Sequence, residues 1–230
     1  MKLSSRKKGF TLIEIIVSFA VFTILMGVVI FGFQDTKKHE ELRGASLQMV
    51  SNIKKVQNYA QTGHEFEDEV PAGGYGLHID LSNQSQYLLF ADKSSVSTAT
   101  GCVDDAGNQR YDNEDGYSPS CIEDKIIGAG QVNFDQGVTI NKIEVKEINK
   151  SEIILDTSHD FDLTFKNLKP FPFIGWLNQN INRDPGNENF NSEKIEYVNI
   201  YLSHEDLNKC RKIHIIGASG AVNEESSDCP

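Results

Sequence analysis

Apolar residues run almost unbroken from Phe10 to Phe33, 24 positions with a single charge, Glu14. As a helix rising about 1.5 Å per residue, the run spans roughly 36 Å, enough to cross a hydrocarbon core of about 30 Å. The helical pattern then continues in another form. Leu42, Ser46, Met49, Ile53, Val56 and Ala60 recur at steps of three and four, while Lys54, Lys55, Gln57 and Asn58 lie off that stripe. No proline occurs before Pro71, and Gly63 marks a C-terminal break. One helix is predicted over residues 10–62, membrane-crossing over 10–33 and amphipathic beyond. Its outer half needs a surface against which to bury its stripe.

From Pro71 the period changes from helical to alternating. Tyr75–Asp80 and Gln86–Ala91 read as a hairpin about Asn83-Gln84-Ser85. Asp92–Asp124 is polar and reads as a long loop or insertion. Strands are predicted again at Gln131–Phe134, Val138–Ile148, Ser151–Thr157 and Phe161–Phe165, although Thr139, Asn141, Ile143, Val145 and Glu147 alternate imperfectly with their neighbours. Lys169–Asn191, with Pro170, Pro172 and Pro185, reads as an irregular connection. Ile195–Leu202 and Lys212–Ile216 are late strands, followed by a turn at Gly217–Gly220. The fold class is α+β: a long N-terminal helix packed on an antiparallel sheet in a head spanning residues 63–230. There is no internal repeat.

Charge sharpens the reading of the apolar segment. Residues 1–9 carry Lys2, Arg6, Lys7 and Lys8 and no acid, which places the N-terminus in the cytoplasm and the head outside. A secretory signal peptide would have a shorter apolar region followed by a small-residue cleavage site, and none follows Phe33. A plain anchor accounts for everything except Glu14, since a carboxylate within a membrane helix costs about 2.5–3.5 kcal/mol on insertion scales.

Gly9-Phe10-Thr11-Leu12-Ile13-Glu14 resembles the processing site of type IV pilins and type II secretion pseudopilins. The resemblance implies a leader, residues 1–9, cut between Gly9 and Phe10 by a prepilin peptidase, with N-methylation of Phe10. Glu14 of one subunit would then neutralise the Phe10 amine of a neighbour as helices bundle, a buried charge compensated only on assembly. The implied partners are the peptidase, other pilins or pseudopilins in a helical filament, an inner-membrane assembly platform with its ATPase, and the membrane itself through residues 10–33. Further along, Tyr75-Gly76-Leu77, Tyr87–Asp92, Cys210–Gly217 and Ser219–Val222 resemble the H-type minor pseudopilins and FimT-like minor pilins. The 94–123 insertion departs from that pattern. The expected function is a minor subunit of a pilus or secretion filament. The alternative is a pilus-associated surface binding module, an adhesin or a DNA-capture pilin.

The full chain of 230 residues has a net charge of −11. Without the leader it is near −15, with 18 Lys and Arg against 33 Asp and Glu. That balance disfavours nucleic acid as a ligand, because phosphate binding needs basic patches; Lys209, Arg211 and Lys212 form the basic cluster near the C-terminus. Four cysteines, Cys102, Cys121, Cys210 and Cys229, allow three pairings. Proximity favours 102–121 and 210–229, each closing a loop worth about 3 kcal/mol in the chain-entropy model, and an extracytoplasmic site favours disulfides over free thiols.

No nucleotide-binding, serine-nucleophile or zincin motif is present, so an enzyme is not expected. His78 and His214 fall in strand patterns and read as half-buried sheet residues. His204-Glu205-Asp206 reads as a solvated turn. No cofactor is expected. Asp104, Asp105, Asn108, Asp112, Glu114 and Asp115 are the one ligand-like series, suited to calcium by their hard oxygens but without EF-hand spacing; a solvated acidic loop is the plainer account. Tyr111, Tyr117, Phe171, Phe173 and Trp176 lie in loop or proline-rich segments and read as loop packing rather than as a contact surface.

Overall fold

The computed structural model describes residues 11–66, 68–71, 73–92, 125–135, 137–155, 157, 159–169, 172–178 and 195–230, with backbone alone at 30–32, 34, 35, 125, 126, 128–130, 173 and 175–178. Helix α1 runs Leu12–Thr62. Ten strands follow among the described residues: β1 Gly74–Asp80, β2 Gln86–Asp92, β3 Lys125–Asn133, β4 Val138–Glu147, β5 Glu152–Leu155, β6 His159–Phe165, β7 Pro172–Asn178, β8 Ile195–His204, β9 Lys209–Ile216 and β10 Val222–Asp228. The chain forms two compact units that divide between Glu40 and Glu41. The outer half of α1 therefore belongs to the same unit as the strands.

Gly63 ends α1 in the left-handed conformation, φ 61°. The His64 amide donates to Tyr59 O at 3.0 Å and the Gly63 amide to Ala60 O at 3.4 Å, the two bonds of a Schellman motif. The Tyr59 and His64 rings stack at 4.3 Å and supply its accompanying side-chain contact. The helix thus stops where a residue without a Cβ can turn the chain back toward the strands.

Where a single sheet is expected from the sequence, the strands form two antiparallel sheets of five, ordered β3-β2-β1-β6-β7 and β10-β9-β8-β4-β5. The chain changes sheet after β3, β5 and β7. Alternation along a strand reveals which of its faces is buried but not which strand it pairs with. One hydrophobic core joins both sheets to the helix stripe, including Leu42, Met49, Ile53, Val56 and Ala60 with Leu77, Leu163, Val145 and Ile200. The stripe residues Met49, Ile53, Val56 and Ala60 are fully buried. Polar bonds on the helix flanks reach each sheet: Asn52 Nδ2 donates to Tyr87 OH at 2.7 Å, and Ser46 Oγ to Glu224 Oε1 at 3.0 Å.

The imperfect alternation in β4 has a local cause. Its register against β8 shifts between Ile140 and Lys142. That bulge lets Val138 and Ile140 share the core face with Ile143 and Val145 despite a three-residue step.

Three other strand expectations are corrected. Pro172–Asn178 is β7, not irregular chain. Proline is tolerated there because it is the first residue of an edge strand and no inner ladder needs its missing donor. Strand β3 begins at Lys125, six residues before the predicted start, through a stretch whose Gly128 and Gly130 hide the alternation. The polar Val222–Asp228 forms β10, paired along its whole length with β9. The segments 93–124 and 179–194 lie outside the described residues.

Gly76 sits between Phe90 and Thr164 on the neighbouring strands; a Cβ there would meet the Phe90 ring at 2.5 Å and Thr164 Oγ1 at 2.9 Å. Overpacking of this kind costs typically about 1–3 kcal/mol. Two substitutions therefore test the packing. Ile53→Ala, at the centre of the stripe, is expected to lower the unfolding free energy by about 2–5 kcal/mol, and Gly76→Ala by about 1–3 kcal/mol. Denaturant titration of the full chain in detergent reads both; a loss below about 0.5 kcal/mol at Ile53 contradicts the packing of α1 on the sheets.

Candidate functional site: the N-terminal helix and Glu14

The Leu12–Val29 part of α1 is an apolar surface with no cover from the described residues. Leu12–Val29 has a mean hydropathy of 2.6, and none of those 18 residues is buried within the protein. Leu12 and Val28 stand 77% and 69% exposed. The segment is long and apolar enough to cross a membrane. Its hydroxyls are satisfied without water: Ser18 Oγ donates to Glu14 O at 2.7 Å and Thr23 Oγ1 to Phe19 O at 2.8 Å. Bonding back to the preceding turn lets such residues sit in a medium that offers no partners.

Glu14 occupies the third position of the helix, after Thr11. The Glu14 amide donates to Thr11 Oγ1 at 3.3 Å, and the Thr11 amide donates to Glu14 Oε2 at 3.4 Å. Thr11 Oγ1 also approaches Glu14 Oε2 at 3.5 Å. This reciprocal pattern is a capping box, and it holds the carboxylate at the positive end of the helix. The Thr-x-x-Glu spacing of a capping box is present in the sequence at Thr11 and Glu14. Thr11 is the residue that sequence reasoning missed. Gly9 and Phe10 lie outside the described residues.

The other candidates separate into those with structural partners and those not described. Cys210 and Cys229 are disulfide-bonded, with Cα atoms 4.9 Å apart; Cys102 and Cys121 lie outside the described residues. So do the acidic series 104–115, Tyr111, Tyr117 and Phe171. Phe173 and Trp176 fall in β7 with only their backbone described. Among the described residues no three His, Cys, Asp or Glu side chains are grouped to hold a metal ion.

Each member of the basic cluster faces a carboxylate of β10: Lys209 pairs with Asp228, Lys212 with Glu225, and Arg211 Nη1 lies 3.2 Å from Glu224 Oε1. The cluster is matched charge for charge rather than presented as a phosphate-binding patch. His204 is a correction. It is buried, 4% exposed, with Nε2 3.7 Å from Glu41 Oε2 on α1, and its Nδ1 accepts from the Asp206 amide at 3.2 Å. Glu205 and Asp206 keep the exposed positions expected of the turn.

His214 and His78 are partly buried sheet residues. His214 Nδ1 lies 2.7 Å from Asn199 Oδ1. Burial, reinforced by Lys212, lowers its pKa. Asn199 in turn donates to Glu144 Oε2 at 3.2 Å, and Tyr201 OH to the same oxygen at 2.8 Å; Lys142 Nζ lies 2.6 Å from Oε1. Burial works to raise the Glu144 pKa, but these three donors outweigh it and hold it below the usual range. His78 Nδ1 lies 2.8 Å from Asp162 Oδ1. Burial works to lower its pKa, while Asp162, with Asp160 and Asp80 nearby, raises it on balance.

A family model described as the prokaryotic N-terminal methylation motif matches residues 4–30, which include Gly9, Phe10, Thr11 and Glu14. No curated protein and no solved structure matches the chain. The match covers 27 of the 230 residues and is to the N-terminal motif alone.

The His78–Asp162 pair sets a pH dependence. A histidine whose pKa is raised by folding contributes stability in full below its unfolded value, near 6.5, and loses it as pH rises through the folded value. Thermal unfolding midpoints of the wild type and His78→Asn should therefore differ most near pH 6 and converge by about pH 9. A difference that grows with rising pH contradicts the pairing.

Proposed function

We propose that the chain is a minor pilin or pseudopilin, a subunit of a type IV pilus or type II secretion filament. The single observation that carries the reading is an apolar helix uncovered by its own chain, with a carboxylate at its N-terminal end, inside a match to the prepilin methylation motif. In this reading a prepilin peptidase cuts between Gly9 and Phe10 and methylates Phe10. The mature chain sits in the inner membrane through residues 10–33, with its N-terminus cytoplasmic and its head outside. Assembly then moves it into a helical bundle that replaces lipid as the cover of the apolar surface. The reading as an H-type minor subunit rests on the sequence resemblance at Tyr75-Gly76-Leu77, Tyr87–Asp92, Cys210–Gly217 and Ser219–Val222.

Glu14 changes partner along this route. Before assembly its carboxylate is held by Thr11. In the bundle it meets the Phe10 amine of a neighbour, so that a bond between two opposite charges replaces bonds in which only the carboxylate is charged. A carboxylate left without a cationic partner in the bundle is unfavourable, so the exchange favours the register in which each amine meets a carboxylate. A disulfide between Cys210 and Cys229 suits a head outside the cytoplasm. Pairing of Lys209, Arg211 and Lys212 with β10 does not favour the DNA-capture alternative.

Glu14→Ala is expected to be processed and membrane-inserted like the wild type, yet to be lost from isolated filaments by about tenfold or more. Fractionation of membranes and sheared filaments, followed by immunoblotting, reads both arms. Wild-type incorporation of the mutant contradicts the pairing of Glu14 with a neighbour's amine.

A further inference from the structure

The outward face of the second sheet holds a carboxylate that solvent barely reaches. Glu144 on β4 is 7% exposed and Asn199 on β8 is 6% exposed, although their sequence neighbours Ile143, Val145, Val198 and Ile200 are the residues that point into the core. The β4–β8 register pairs Glu144 with Asn199 and Lys142 with Tyr201. Lys142 and Asn199 are therefore diagonal neighbours on one face, and such residues stand about 7–8 Å apart, within reach of a long side chain. His214 on β9 lies opposite Asn199 on its other side.

The Glu144 carboxylate holds an amine and an amide at once. Lys142 Nζ lies 2.6 Å from Oε1, and Asn199 Nδ2 donates to Oε2 at 3.2 Å. Tyr201 OH donates to the same Oε2 at 2.8 Å and fixes the carboxylate. At the other end of the amide, His214 Nδ1 lies 2.7 Å from Asn199 Oδ1. An amide oxygen only accepts, so the imidazole donates and polarises the Asn199 carbonyl. A nucleophile, a proton carrier and a polarised carbonyl are thus held together. Packing alone asks for none of this, since apolar residues of similar volume often match or better a buried ion pair.

We propose that Lys142 and Asn199, bridged by Glu144, form a self-modification site, at which the lysine amine and the asparagine carboxamide condense to an intramolecular amide cross-link. Lys142 Nζ gives a proton to Glu144 Oε1 and attacks Asn199 Cγ. The His214 N–H holds the oxygen that takes up the electron pair of the carbonyl. Glu144 passes its proton to Nδ2, the Cγ–Nδ2 bond breaks, the carbonyl re-forms and ammonia leaves. The new amide sheds its extra proton through Glu144 to that ammonia, which departs as ammonium. Glu144 ends as the carboxylate it began as, and no oxidant or cofactor is consumed. Fixed proximity of the two groups stands in for an external catalyst. The bond ties β4 to β8, which the chain reaches only after β5, β6 and β7. It lies in the head and depends on neither processing nor helix bundling, so its failure leaves the filament reading intact.

The intact mass of the reduced full chain, compared with the value for its own N-terminus, is expected to fall short by one ammonia. Digestion of the wild type should release a branched peptide that joins the Lys142 segment to the Asn199 segment, a readout that needs no variant to fold. Lys142→Arg and Glu144→Gln should each restore the full mass and remove the branched peptide. A wild-type chain at its full mass, without the branched peptide, overturns the proposal. So does a loss of ammonia that persists in either variant. In Lys142→Arg it marks an asparagine cyclised on its own backbone, and in Glu144→Gln a reaction that does not use the bridging carboxylate.

Discussion

One helix has to be covered in two different ways. From Leu42 to Ala60 its apolar stripe is buried by two sheets of the same chain. From Leu12 to Val29 its apolar surface is complete around the circumference and none of it is buried. At roughly 25 cal/mol per Å², leaving such a surface in water is costly, and the segment is long and apolar enough to cross a membrane. Everything else in the chain follows from that division. The head exists to bury one face of α1, and the N-terminal half is left to its surroundings.

The strands meet this demand with two sheets rather than one. A stripe on a helix presents faces in more than one direction, and Asn52 and Ser46 mark the two flanks by bonding to Tyr87 and Glu224 respectively. The second sheet closes with β10, whose Asn, Glu, Ser and Asp residues have little strand propensity. It is kept in place by its partners: the disulfide to Cys210, the ion pairs to β9, and the Glu224 carboxylate shared between Arg211 and Ser46. A polar strand formed this way is an effect of tertiary pairing, not of local preference.

That difference explains what the amino-acid sequence disclosed. The helix was legible because its signal repeats over five turns and ends at a glycine able to adopt φ 61°. The β1–β2 hairpin was legible for the same reason at period two. Strand β7 was hidden by Pro172, which reads as a breaker unless the strand is known to lie at an edge. Strand β10 was hidden by composition, and the division into two sheets by the silence of periodicity about pairing. At the N-terminal site the Glu14 carboxylate stood out as a charge in an apolar run, whereas Thr11 did not, because a hydroxyl among apolar residues is unremarkable until its spacing to Glu14 is read as a cap. The motif at residues 4–30 and the uncovered helix fall on the same segment.

The central claim is that the first nine residues are a leader and that the functional chain begins at Phe10. Intact-mass and N-terminal fragment analysis of the protein isolated from membranes tests it most directly. The account predicts a chain that starts at Phe10 and carries one added methyl group on its terminal amine. A mature protein that retains Met1 to Gly9, or that is cut beyond Phe33, contradicts it.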